Sequence, residues 1–141
     1  MPGASRSIVF NAPVEKVFEV ITDYEKYGEF LPEVKKTRVT GRQGTEANVQ
    51  YEVDVMKTIK YTVKMREEKP TRLTWTFVEG EFMRDNKGSW VLEPQGPNQT
   101  KATYTVEMTL GPLVPKAIVN TLVDSSLPKM LENFKKRVES R

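Results

Sequence analysis

The chain has 141 residues, with 22 Lys and Arg against 19 Asp and Glu and a formal charge of +3. That length is one domain's worth, so residues 1–141 are read as a single domain, long enough to bury a real core. There is no cysteine and no histidine, which excludes disulfides, thiolate nucleophiles, zinc-thiolate sites, a Ser-His-Asp triad and histidine-ligated metals. No apolar run approaches the roughly 18 residues of a membrane-spanning helix. Met1–Ser7 lacks the apolar core of a signal peptide, so the reading places the protein inside the cell.

Ser7–Phe10 reads as a short strand. Asn11-Ala12-Pro13 reads as a helix start, with Pro13 at the first helical position and Glu15 suited to the helix dipole. Val14, Val17, Phe18 and Ile21 form the apolar stripe of that helix. Tyr24, Tyr27, Phe30 and Leu31 keep helical spacing across Gly28, which predicts a second short helix or turn before Pro32.

From Val34 the period changes to two. Val34–Thr40 is a predicted strand ended by Gly41, with a loop over Arg42–Glu46. Val49, Tyr51, Val53 and Val55 share one face of the next strand; Ile59, Tyr61, Val63 and Met65 share one face of the one after it. Their outer faces are acidic and basic respectively, which suits antiparallel neighbours. The turn at Met56-Lys57 carries no glycine or proline. Lys69-Pro70-Thr71 is a turn, followed by a strand with Leu73, Trp75 and Phe77 on one face. Asp85-Asn86-Lys87-Gly88 has the composition of a hairpin turn. Trp90 and Leu92 follow on a strand ending at Pro94. Thr100–Leu110 turns Ala102, Tyr104, Val106, Met108 and Leu110 one way, as in an antiparallel sheet with one wet face.

Pro115–Arg141 is the longest helical stretch, and only it is long enough to cover that sheet. Ile118, Val119, Leu122 and Val123 form one stripe. Leu127, Met130, Leu131, Phe134 and Val138 form another, rotated by roughly 100°. Pro128 lies at the join, which predicts a kink or break over Asp124–Pro128, with Ser125 or Ser126 capping a restarted helix.

The fold class expected is α+β: a curved antiparallel sheet of about seven strands, two short helices after the first strand, and a long C-terminal helix gripped by the sheet. The stretch Ser7–Phe18, the segment Asp23–Tyr27 with Phe30-Leu31-Pro32, and Val78-Glu79-Gly80, Phe82 and Gly88–Pro94 resemble motifs of the START-like, helix-grip superfamily, in its coenzyme-Q-binding and polyketide-cyclase-like branch. The resemblance covers nearly the whole chain. It implies a domain that holds an apolar small molecule inside the grip.

The residues themselves point the same way. The inner faces carry no charged side chain in phase; their polar atoms come from Tyr51, Tyr61, Tyr104 and the indoles. Such a lining suits an apolar ligand oriented by a few hydrogen bonds, and each buried aromatic tip needs a partner. The candidate ligand-binding residues are Phe30, Tyr51, Tyr61, Trp75, Phe77, Trp90, Tyr104, Met108, Ile118 and Leu122. Access is expected where Phe30 and Leu31 face Leu113, Val114, Ile118 and Leu122.

No catalytic residue, cofactor or metal is expected. Asp85-Asn86 with Asp124 is read as turn and helix-break residues rather than a cation site. Glu79 and Glu81 are read as a solvated edge turned away from Trp75 and Phe77, not as an acid–base pair. Lys129, Lys135, Lys136, Arg137 and Arg141 make the last turns basic; they are read as a solvated helix end, with contact to anionic lipid headgroups as the alternative partner. Nucleic acid is not expected, because the aromatics alternate inward. The reading is a binding module for an isoprenoid quinone or another lipid-like molecule. Its alternatives are an aromatic polyketide cyclase or dehydrase and a protein-interaction scaffold.

Overall fold

The period-two segments pair as their wet and dry faces require. A computed structural model of the protein describes residues 3–54, 58–112, 114–121 and 127–140. The strands are β1 (Gly3–Phe10), β2 (Val34–Gln43), β3 (Glu46–Asp54), β4 (Thr58–Glu68), β5 (Arg72–Gly80), β6 (Met83–Gly96) and β7 (Gln99–Leu110). They form one seven-stranded sheet in the order β1-β7-β6-β5-β4-β3-β2, and every pairing is antiparallel. The acidic and basic outer faces of β3 and β4 meet as read: Glu52 pairs with Lys60 at 3.7 Å and Glu46 with Lys64 at 3.4 Å.

Helix α1 (Val14–Ile21) follows β1 and buries Val14, Val17, Phe18, Val20 and Ile21. Pro13 is the cap residue rather than the first helical one, and its carbonyl accepts from the amides of Lys16 and Val17 at 3.1 Å each. A short 3-10 helix (Tyr24–Glu29) takes the place of the second helix or turn. Two buried polar contacts hold it. The Tyr27 hydroxyl donates to the Ile21 carbonyl, and the Thr37 hydroxyl of β2 donates to the Tyr24 carbonyl.

The C-terminal stretch contains α2 (Lys116–Thr121) and α3 (Leu127–Glu139). Pro128 sits in the first turn of α3, where its missing amide breaks no intrahelical bond. The expected break over Asp124–Pro128, the serine caps and the Met56-Lys57 turn lie largely or wholly outside the described residues. Leu127, Leu131, Phe134 and Val138 of α3 are buried in the main core. The last turns are tied down as well: the Asn11 amide donates to Glu139 at 2.9 Å, and Lys135 donates to the Val9 carbonyl at 2.6 Å.

Three local readings are corrected. Asp85-Asn86-Lys87-Gly88 is not a turn but part of β6; the β5–β6 connection is Glu81-Phe82, with Phe82 at φ 62°. Strand β2 does not stop at Gly41 but runs to Gln43 through an irregularity between Val39 and Gly41. Strand β6 passes Pro94 and ends at Gly96. The register also explains Glu79. Strict alternation from Trp75 and Phe77 would turn it inward. A bulge at Val78 intervenes: Phe77 pairs with Val63, but Glu79 pairs with Thr62. The bulge therefore reverses the face, and both Glu79 and Glu81 are exposed.

Candidate functional site

Between the inner face of the sheet and α3 lies a cavity of about 220 Å³. Strands β3 and β4 supply Tyr51, Val53, Ile59, Tyr61, Val63 and Met65 to its wall. Strands β5, β6 and β7 supply Leu73, Trp75, Met83, Asn86, Trp90, Tyr104, Val106 and Met108, and α3 supplies Leu127, Met130 and Phe134. Exposed Pro32 and Lys129, with half-buried Glu33 and Asn133, also line it. They mark a rim between the segment after the 3-10 helix and α3.

An aromatic network forms much of the wall. Phe134 is its hub, edge-on to Tyr27 at 5.3 Å, to Phe30 at 5.1 Å and to Trp90 at 5.2 Å between centroids. Tyr104 meets Trp90 at 5.0 Å and Trp75 at 5.5 Å. Tyr51 and Tyr61, directly opposite across β3 and β4, stack at 5.1 Å and 6°. Such ring pairs add roughly 0.5–1.5 kcal/mol each beyond area burial.

Behind the rim of Glu33 and Lys129, the polar side chains that the described residues bring to the cavity are neutral. Burial pushes the phenols of Tyr27, Tyr51, Tyr61 and Tyr104 up from their ordinary range; neighbouring phenols add to this at Tyr51 and Tyr104, while at Tyr27 the Tyr104 phenol adds and a hydrogen bond with Tyr51 opposes. They stay protonated at any physiological pH and cannot serve as ready bases. Asn86 is 4 % exposed. Its Oδ1 accepts from the Trp75 indole N–H at 3.0 Å. An indole nitrogen only donates, so this bond fixes which way the amide faces. Asn86 Nδ2 then has the Met83 thioether sulfur at 3.7 Å, a weak acceptor.

Gly88 makes that arrangement possible. It pairs with Trp75 across β5 and β6, and a Cβ placed on it would stand 2.5 Å from Trp75 Cζ2 and 2.3 Å from the Thr105 carbonyl oxygen. The indole therefore lies against bare backbone at Gly88, with its N–H bonded to Asn86.

Of the residues singled out in the sequence, Tyr51, Tyr61, Trp75, Trp90, Tyr104 and Met108 line the cavity. Phe30 does not; it packs behind the wall, against Tyr27 and Phe134, with the Arg137 guanidinium 5.2 Å from its ring centroid. Phe77 belongs to a second cluster around Ile59, Met83 and Val114. Val114 packs there rather than facing Phe30, because the Phe82 turn brings Gly111 back to it through a 2.9 Å backbone bond. Leu113, Leu122 and the Ile118 side chain lie outside the described residues. Sequence reasoning missed Asn86, hidden in a turn-like tetrapeptide. It placed Tyr27, Met130 and Phe134 on apolar stripes without assigning them to the site.

The basic helix end is partly engaged. Lys135 pairs with Glu139 at 2.6 Å and Arg137 with Glu29 at 2.7 Å, while Lys129 and Lys136 are exposed. Among the described residues no group of three metal-ligating side chains comes together, and no helix is long and apolar enough to cross a membrane.

Comparison with known proteins agrees with this geometry. A search of curated proteins finds no match. A protein of Thermus thermophilus superposes with a TM-score of 0.87 at 22% identity, covering 99% of this chain and 98% of that one. An aromatase/cyclase from a Streptomyces species gives 0.87 at 17% identity, covering 99% and 94%. A START superfamily protein from Mycobacterium smegmatis gives 0.85 at 17%, covering 98% and 97%. These likenesses establish the helix-grip fold. The family model described as polyketide cyclase / dehydrase and lipid transport matches residues 1–139, so the chain belongs to that START-like family.

Proposed function

We propose that residues 1–141 form one binding domain that holds an apolar, ring-bearing small molecule between the sheet and α3. The observation that carries this reading is the cavity itself: about 220 Å³, walled mostly by aliphatic and aromatic side chains, with phenols, indoles and the buried Asn86 amide inside and Glu33, Lys129 and Asn133 at its rim. A fully packed core would leave few voids larger than a water molecule. This volume equals roughly seven waters at about 30 Å³ each, yet the walls offer few partners for them. Displacing poorly held water with an apolar group is favourable.

The size refines the ligand class. An apolar cavity of about 150 Å³ accepts benzene, so this one suits one or two fused rings. For an isoprenoid quinone or other lipid-like ligand, the ring would sit inside and the chain would leave at the Pro32–Lys129 rim. Binding is favoured over turnover because the cavity's phenols are held protonated and no nucleophile with an adjacent base stands there among the described residues.

The test is native mass spectrometry on protein purified from its own host, with organic extraction of what it carries. A one-to-one complex with a ring-bearing apolar compound supports the reading. Recovery of ligand-free protein that also fails to take up added bicyclic aromatics contradicts it. Conversion of a bound polyketide, lost in Tyr51→Phe, Tyr61→Phe or Tyr104→Phe, would replace it with the enzyme reading.

A further inference from the structure

Asn86 is 4 % exposed, lines the cavity, and has its amide orientation fixed from one side only. Its oxygen is committed to Trp75. Its NH₂ group therefore faces away from the indole, toward Met83 at 3.7 Å. A buried amide donor facing only a thioether retains most of its hydrogen-bonding demand. Directly across the β6–β7 ladder stands Met108, a second wall residue, so this donor sits where a ligand in the cavity would lie. Among the described residues no ionised side chain lines the interior; Glu33 and Lys129 belong to the rim.

We infer that Asn86 is the specificity-determining residue of the cavity, donating from Nδ2 to the carbonyl oxygen of a neutral cyclic ketone or quinone. The inference rests on the proposed binding function and names the ligand's functional group. The chemistry selects that group in three ways. The donor needs an acceptor, so a plain hydrocarbon leaves it unsatisfied. The phenols around the cavity are protonated and can donate as well, so a carbonyl with two lone pairs fits better than a donor group. A carboxylate would enter without an interior cation to balance it, at a large desolvation cost. Trp75 is a positioning residue: its N–H holds Asn86 so that the NH₂ group, not the oxygen, is presented.

The experiment compares 1-tetralone with tetralin, a ketone and its parent hydrocarbon of nearly equal shape. Dissociation constants are read from tryptophan fluorescence. Wild-type protein should prefer the ketone by about tenfold beyond the difference in their transfer from water, the scale of one satisfied buried donor. In Asn86→Leu that preference should fall to about onefold. In Trp75→Phe it should fall partway, because the amide is free to turn. If Asn86→Leu does not fold, the infrared carbonyl stretch of tetralone bound to wild-type protein decides: a shift to lower wavenumber than in hexane supports the inference. Affinities of wild type that differ by no more than the probes' transfer from water, or a carbonyl stretch unchanged from hexane, overturn the Asn86 role and leave the binding function standing. Binding of neither probe overturns both.

Discussion

Gly88 lies under the indole of Trp75, where a Cβ added to it would stand 2.5 Å from Trp75 Cζ2. The Thr105 carbonyl closes the other side at 2.3 Å. A methyl group there meets backbone as well as ring, so the contact cannot be relieved by a rotamer change alone. Gly88→Ala should cost about 3 kcal/mol, the upper part of the overpacking range. It should also lift Trp75 away from Asn86. Urea denaturation measures the first effect. The indole N–H proton shift measures the second and should move toward that of an unbonded indole.

Phe134 joins the two sides of the cavity by touching Tyr27, Phe30 and Trp90, and it is 2 % exposed. Phe134→Ala removes the hub and enlarges an existing void, so the loss should be about 3–5 kcal/mol. The variant that still folds at low temperature should accept bulkier apolar probes than wild type. Denaturation midpoints and probe titrations check the two parts separately.

All five tyrosines of the chain have their phenols pushed up in the folded state, with burial the first cause. Their unfolded value is about 10. A folded value above the unfolded one means the stabilising contribution is intact below about pH 10 and is lost as pH rises beyond it. Absorbance at the tyrosinate band should stay flat through pH 10 to 11 in folded protein. It should then rise for all phenols in one cooperative step with alkaline unfolding. A gradual rise starting near pH 10 without unfolding would show a phenol open to solvent.

Met108 lines the cavity opposite Asn86. Met108→Arg would place a cation among groups that cannot neutralise it, and a buried unpaired charge costs several kcal/mol. Affinity for apolar probes should drop by about a hundredfold or more. Met108→Leu, close in volume, should bind within a few-fold of wild type.

Much of the architecture is legible in the sequence because a sheet with one wet face writes itself as alternation. Tyr51, Tyr61 and Tyr104 are on the inner face for that reason, and period two alone finds them. The readings that fail do so where a tertiary contact overrides local preference. Asp85-Asn86-Lys87-Gly88 looks like a turn, yet Asn86 is spent on the Trp75 indole and Gly88 on its close approach. The true turn carries Phe82 at φ 62°, a conformation that sequence statistics reserve for glycine and asparagine. Glu79 faces outward as read, but the cause is the bulge at Val78, which leaves no mark in the sequence. Phe30 and Phe77 were apolar and correctly spaced, but composition cannot distinguish a residue that faces a cavity from one that packs behind its wall.

The central claim is that the cavity takes up an apolar ring, and its own methionines report on it most directly. Met65, Met83, Met108 and Met130 all line the wall, so the methyl resonances of methyl-labelled protein can be followed while 1-tetralone is added. The account predicts that these methyls shift together, through ring-current and contact effects, and saturate at one equivalent of bound probe. Methyls that stay unmoved up to the solubility limit of the probe, or shifts that grow without saturating, would contradict it.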